Sequence, residues 1–224
     1  YYTVLRFFKE AAIDADVTEI YITLYRIAHD SRVANALVSA ARNGKKVTVL
    51  VELKARFDEA NNIRWARKMK EAGVKIVYSP VSLKVHAKVA LVKRKQNKRM
   101  SYIGLLATGN MNEGTARFYT DHVLFTAHPG LLRELELVFI FLGHRKKAGN
   151  PALVAFEHLL VAQFNLQQRF LELIDREMAN ARKGLPASII IKLNNLEERV
   201  LIEKLYEASL AGVPAGIANA GTSL

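Results

Sequence analysis

The run Val85-His86-Ala87-Lys88-Val89 is the sharpest chemical feature of the chain. Read as part of a strand over 85–92, it puts His86 and Lys88 on one face, because side chains two apart in a strand point the same way. An imidazole and an ammonium about 7 Å apart can grip a phosphoryl group from two sides. Histidine suits that work, since its near-neutral pKa leaves a ring nitrogen able to attack at cellular pH. Two arginines extend the pattern: Arg26 ends the first predicted strand and Arg56 follows the second. Carboxyl ends of parallel strands are where open α/β sheets bind ligands, and a guanidinium fork holds two phosphate oxygens at once. Thr108, Asn110, Asn112 and Glu113 lie in a small-residue loop that can offer amides and backbone N–H groups to an oxyanion. Tyr119 brings a ring that can stack on a purine. Either Glu113 or Asp121 can fix the His86 tautomer by accepting from its other ring nitrogen, and the sequence does not choose between them. Each feature alone is ordinary surface chemistry; their concurrence at predicted strand ends points to a phosphate site.

The elements that must position these residues alternate between strand and helix. Strands are predicted at 17–25, 46–53, 74–78, 85–92 and 101–106, the first being β-branched and aromatic throughout. Helices are predicted at 33–41, after the cap Asp30-Ser31 and before Asn43-Gly44, then at 63–72 and 131–142. Trp65 and Met69 fall at helical spacing and are read as core. The basic run 93–99 is read as a hairpin-like, solvated connection or else a polyanion contact. Such alternation implies an α/β layered sandwich whose sheet is mixed and largely parallel, flanked by helices. The pattern breaks in a turn-rich basic stretch near 143–151. A long helix over 155–183, a strand over 188–193 and a helix over 196–211 follow, and the tail 215–224 has no clear pattern. The reading is therefore a first domain over 1–150 and a truncated second α/β unit over 151–224.

Composition narrows the partners. Half the residues are hydrophobic and 24% are charged, which is globular rather than disordered composition. A formal charge of +12 favours a polyanion. The absence of cysteine excludes disulfides and thiolate metal sites. No apolar run approaches the roughly 20 residues that span a bilayer. A chain opening at Tyr1-Tyr2 without methionine reads as an excised fragment, and a cytoplasmic location is expected, with peripheral membrane association left open.

Several motifs resemble, in order, the carboxyl-terminal catalytic region of the polyphosphate kinase family, whose domains look like phospholipase D. They are Tyr25-Arg26-Ile27-Ala28, Asp30-Ser31-Arg32, Val51-Glu52-Leu53, Ala55-Arg56-Phe57-Asp58-Glu59, Lys84-Val85-His86-Ala87-Lys88, Thr108-Gly109-Asn110, Asn112-Glu113 and Tyr119-Thr120-Asp121. The stretches Asp175-Arg176-Glu177, Gly184-Leu185-Pro186 and Lys192-Leu193-Asn194-Asn195-Leu196 extend the likeness, which covers nearly the whole chain. The resemblance implies a phosphohistidine at His86, assisted by Lys88. It also implies a phosphate and Mg²⁺ site at Arg26 and Arg56, and a nucleotide near Tyr119. Its substrates would be ATP or ADP and inorganic polyphosphate, with no specific nucleic acid, and the parent enzyme would be a homo-oligomer. A guanidinium has no lone pair for a cation, so Mg²⁺ is expected to be held through phosphate. Two departures stand out. Lys93 occupies the place where a phospholipase D signature carries aspartate, and Gln167 stands where the family tends to have arginine. A phospholipase-D-type phosphodiesterase or nuclease, or a non-catalytic polyanion-binding module, are the alternative readings.

Overall fold

A computed structural model of the protein describes residues 1–52, 59–79, 83–143, 155–193 and 195–219. They form two compact units, Tyr1–Ala148 and Gly149–Leu224.

The first unit runs α1 (Tyr2–Ile13), β1 (Val17–Leu24), α2 (Arg32–Arg42), β2 (Lys46–Val51), α3 (Glu59–Glu71), β3 (Lys75–Tyr78), β4 (Lys88–Gln96), β5 (Arg99–Ala107), β6 (Val123–Thr126) and α4 (Pro129–Gly143). Its six strands lie in the order β3-β2-β1-β4-β5-β6. The sheet is mixed, as expected, but the parallel part is confined to β1, β2 and β3. The β1–β4, β4–β5 and β5–β6 pairs are antiparallel. A tight hairpin joins β4 to β5. Asn97 and Lys98 both have positive φ, 49° and 65°, the two-residue turn whose twist suits neighbouring antiparallel strands. The basic run is thus strand up to Gln96 rather than loop. Within it, Lys93 pairs with Glu136 at 2.6 Å and Glu19 at 3.2 Å, while Arg94 reaches Asp14 at 3.0 Å.

Strand periodicity explains the layers. Ile20, Ile22 and Leu24 of β1 and Val47, Val49 and Val51 of β2 point to one face, where they join Phe8 of α1, Leu37 of α2, and Trp65 and Met69 of α3. Tyr21 points the other way and meets Phe139 of α4, with ring centroids 5.6 Å apart. Ser31 caps α2 by accepting from the Ala34 N–H at 3.1 Å. Helix α1 was not predicted, although its buried residues Val4, Leu5, Phe8, Ala11 and Ala12 follow helical spacing.

The second unit comprises α5 (Leu166–Arg182), β7 (Ile189–Leu193), α6 (Arg199–Leu210) and β8 (Ala215–Asn219). Strands β7 and β8 pair in parallel over a small core of Ile174, Met178, Leu205, Ala208 and Val213. Two expectations are corrected. The long helix starts only at Leu166, because the Asn165 side chain ties up the preceding segment. Its Oδ1 accepts from Val161 N–H at 2.8 Å, and its Nδ2 donates to the carbonyls of Phe156 at 3.0 Å and Leu159 at 2.9 Å. Such side-chain-to-backbone bonds compete with helix. The tail read as patternless holds β8, whose Ala and Gly residues hide the strand period. Among the described residues no helix is long and apolar enough to cross a membrane.

Helix α4 crosses β5 over Gly104, where a Cβ would overlap Leu132 Cδ2 and lie 3.3 Å from the Ala90 carbonyl oxygen. Leu132 is 0% exposed and has nowhere to move. Gly104→Ala is therefore expected to cost about 1–3 kcal/mol through overpacking. Urea unfolding followed by circular dichroism checks this; an unchanged midpoint would show that α4 does not press on β5.

Candidate functional site

The antiparallel half of the sheet decides which residues meet. Strand β1 ends where β4 begins, and Lys88 lies opposite Ala107, the last residue of β5, which in turn faces Val123 at the start of β6. The segments carrying Arg26, His86 with Lys88, Thr108, and Asp121 therefore all emerge at one edge.

His86 is not on a strand. Residues 83–87 have no regular structure, and β4 starts at Lys88. The physical reason is Thr23, whose hydroxyl donates to the Ala87 carbonyl at 2.6 Å and accepts from the Val89 N–H at 3.0 Å. These bonds hold the lead-in off the ladder. The two differ in burial: His86 is exposed, whereas Lys88 is 5% exposed. They still belong together. Lys88 Nζ donates to the His86 carbonyl at 2.5 Å and sits 5.2 Å above the Tyr25 ring. Tyr25 packs edge-on against the His86 ring with centroids 5.0 Å apart. Lys84 approaches the same tyrosine at 5.8 Å.

Charge follows from this crowding. Desolvation lowers the His86 pKa below its ordinary value, and the positive charges of Lys88, Lys84 and Arg26 lower it further. Burial pushes Lys88 down to about 8; Asp121 opposes that, while Lys84 and Arg26 add to it. A cluster whose cations resist their own charging is relieved when an anion binds. Arg56 lies outside the described residues.

The loop residues divide into different roles. Thr108 donates its hydroxyl to Asp121 Oδ1 at 3.0 Å and accepts from the His122 N–H at 3.0 Å. A Cβ on Gly109 would collide with the Asp121 carboxylate, so only glycine lets that acid pack there. The charge of Asp121 reaches Lys88. Glu113 points elsewhere. It accepts from the Arg32 N–H at 2.7 Å at the start of α2. Burial and the nearby charge of this carboxylate push the Tyr1 hydroxyl pKa upward. Among the described residues neither acid hydrogen-bonds the His86 ring. Asn112 is a turn-former: its Oδ1 accepts from Gly114 N–H at 2.9 Å and Thr115 N–H at 3.1 Å, opening a single 3₁₀ turn. Asn110 and Tyr119 line a cleft of about 140 Å³ with Tyr1, Gly109, Met111 and Asp121. Tyr119 is 54% exposed, leaving its ring open to stacking. A larger cleft of about 300 Å³ lies on the α4 face around Tyr21, Leu50 and Phe139 and contains none of these groups. Sequence reasoning missed Thr23, Tyr25 as a ring contact, and two buried polar residues, Glu52 and Asn62, that anchor the site loops.

Comparison with known proteins places this geometry. The family model described as "Polyphosphate kinase C-terminal domain 1" matches residues 1–148, and "Polyphosphate kinase C-terminal domain 2" matches residues 159–221. A polyphosphate kinase of Escherichia coli (strain K12) is 44% identical over 214 residues, covering 96% of this chain and 30% of that one. One from Vibrio cholerae is 43% identical over 205 residues, covering 92% and 28% respectively. The chain thus spans under a third of the length of these relatives. The crystal structure of polyphosphate kinase from Porphyromonas gingivalis superposes with a TM-score of 0.82 at 44% identity, over 96% of this chain and 35% of that one. A phospholipase D family member, Nuc from Salmonella typhimurium, shares the fold at a TM-score of 0.50 and 17% identity, over 62% of this chain and 87% of that one.

The electrostatics predict a titration. In an NMR titration with labelled histidine and lysine, His86 should show a midpoint below 6.5 and Lys88 a midpoint near 8. Pyrophosphate should raise both, because an anion favours each charged form. A Lys88 midpoint above 10, insensitive to pyrophosphate, would remove it from the anion site.

Proposed function

Because the chain belongs to the polyphosphate kinase family, we propose that His86 accepts the γ-phosphoryl group of ATP and passes it to inorganic polyphosphate, reversibly. The observation that supports this reading best is the exposed imidazole with a depressed pKa, ringed by Lys88, Lys84 and Arg26. A neutral ring nitrogen is the attacking form, and a depressed pKa keeps it neutral at cellular pH. In the first step a nitrogen–phosphorus bond forms and the bond from the γ-phosphorus to the β–γ bridging oxygen breaks, ADP leaving with the electron pair. In the second step a terminal oxygen of polyphosphate attacks phosphorus and the imidazole departs. Phosphoryl transfer asks mainly for alignment and charge relief. Lys88 has its ammonium fixed between the His86 carbonyl and the Tyr25 ring, beside the path of the phosphoryl oxygens. Arg26, with Arg56, supplies planar forks for those oxygens. Tyr119 provides the open ring against which adenine would stack, and Asp121 keeps Lys88 charged.

Among the described residues an all-protein Mg²⁺ site does not fit. Among the described residues no group of three His, Asp or Glu is placed to hold a metal, and arginine offers no lone pair. Magnesium would enter as part of the nucleotide substrate, carried by phosphate oxygens. A phosphodiesterase reading is not favoured, since Lys93, in place of the signature aspartate, is bound by Glu136 and Glu19.

Two outcomes are expected of the full-length enzyme. With γ-labelled ATP it should form an acid-labile, alkali-stable phosphoramidate that His86→Ala abolishes; label on serine, or label surviving that change, sinks the assignment. Arg26→Lys should lower kcat by about 10²-fold, as for other transition-state charge contacts, and raise the KM for ATP much less. A raised KM with unchanged kcat would make Arg26 a uniform binding group.

A further inference from the structure

Resting on the phosphohistidine reading, we propose that Glu52 is a positioning residue for the transfer: its buried carboxylate holds the His86 segment in register with the Arg26 segment. His86 needs such help. Its ring has no hydrogen-bond partner among the described residues, so its placement rests on its backbone and on the edge of Tyr25.

Glu52 is 1% exposed and follows the last residue of β2. Its Oε2 accepts from the Val85 N–H, one residue before His86, at 2.7 Å. Its Oε1 accepts from the Ser79 hydroxyl at 2.9 Å, holding the exit from β3. Its own N–H donates to the Leu24 carbonyl at 3.1 Å, which ties it to the end of β1. Asn62 of α3, 0% exposed, completes the bracket. Its Nδ2 donates to the carbonyls of Tyr25 at 2.8 Å and Glu52 at 3.2 Å, and its Oδ1 accepts from the Ile27 N–H at 3.3 Å. Both neighbours of Arg26 and the predecessor of His86 are therefore held by one pair of adjoining buried side chains.

Burying a carboxylate is expensive unless its oxygens are bonded. Val85 already packs against Leu50, Val77 and Leu142, so closing the loop does not require an acid. What the acid adds is a short, charge-assisted and directional bond at the one N–H whose position sets His86. Misplacement of reacting groups by about 1 Å can cost on the order of 10²-fold in rate.

The test uses the full-length enzyme. Glu52→Met keeps the volume and removes both acceptors. Glu52→Gln can still accept from Val85 and donate to the Ser79 oxygen. Glu52→Met should lower kcat by about 10²-fold while leaving the KM for ATP nearly unchanged, and Glu52→Gln should recover most of the loss. Hydrogen exchange read by mass spectrometry on a peptide spanning 83–88 should rise in Glu52→Met and stay low in Glu52→Gln. Should Glu52→Met fail to fold, Glu52→Asp, whose carboxylate is one methylene short of Val85, carries the same comparison. Equal kcat and equal exchange in the two variants would overturn the proposal. If the unsubstituted enzyme places no label on His86, the phosphohistidine reading falls instead, and the exchange experiment alone judges the anchor.

Discussion

Mutual repulsion among Arg26, Lys84 and Lys88 beside His86 is the constraint on which the rest of the site depends. Left to themselves, three cations would splay into solvent, and the imidazole beside them would keep its ordinary basicity. Here Lys88 is buried at the foot of β4 with its pKa pushed down to about 8. Its ammonium is satisfied by the His86 carbonyl and the Tyr25 face. The arrangement is tolerable because Asp121 offsets part of the charge, and Asp121 fits only because position 109 is glycine. What remains is the repulsion of Lys84 and Arg26 on Lys88. Binding an anion relieves it.

That geometry is a product of topology. In a wholly parallel sheet, the lead-in to β4 that carries His86 would lie at the opposite end of the sheet from Arg26, which follows β1. Reversing direction at β4 brings the start of β4 beside the end of β1, so the lead-in to β4 contributes to the site as well as the strand's own first residue. The Asn97–Lys98 turn then returns β5 to the same edge, delivering Thr108 and, through β6, Asp121. Lys93 stabilises this reversed strand from the opposite end by bridging β1 and α4.

The sequence made the cluster legible but not its geometry. The partnership of His86 with Lys88 was readable from spacing, yet the pleat that would put both on one face is absent there; Thr23, sixty-odd positions away in the chain, replaces it with side-chain bonds. Trp65 and Met69 were readable as core because helical spacing is a local signal, and both are buried. The sequence could not choose between Glu113 and Asp121 because it says nothing about the direction of a side chain, and Glu113 caps the start of α2. Glu52 and Asn62 carried no local signal at all. A lone acid after an apolar strand reads as a surface residue until the fold wraps three segments around it. Helix α1 was overlooked for lack of a cap, and β8 for lack of bulky side chains.

Among the described residues no carboxylate hydrogen-bonds the His86 ring, and this bears on the proposed chemistry. A paired acid would fix the tautomer, but it would also raise the basicity of the imidazole. A more basic nitrogen attacks phosphorus more readily and lets it go less readily. An enzyme that must both accept a phosphoryl group and hand it on gains from a weakly basic nitrogen, held neutral by nearby cations and oriented through its backbone. In that arrangement the same cations that depress the pKa also receive the charge spread over the transferred oxygens, so one set of residues serves both directions of the exchange. Orientation by backbone rather than by a paired acid is therefore the arrangement that reversible transfer through His86 would favour, and it makes the buried anchor at Val85 a larger part of the site than its distance from the phosphoryl path suggests.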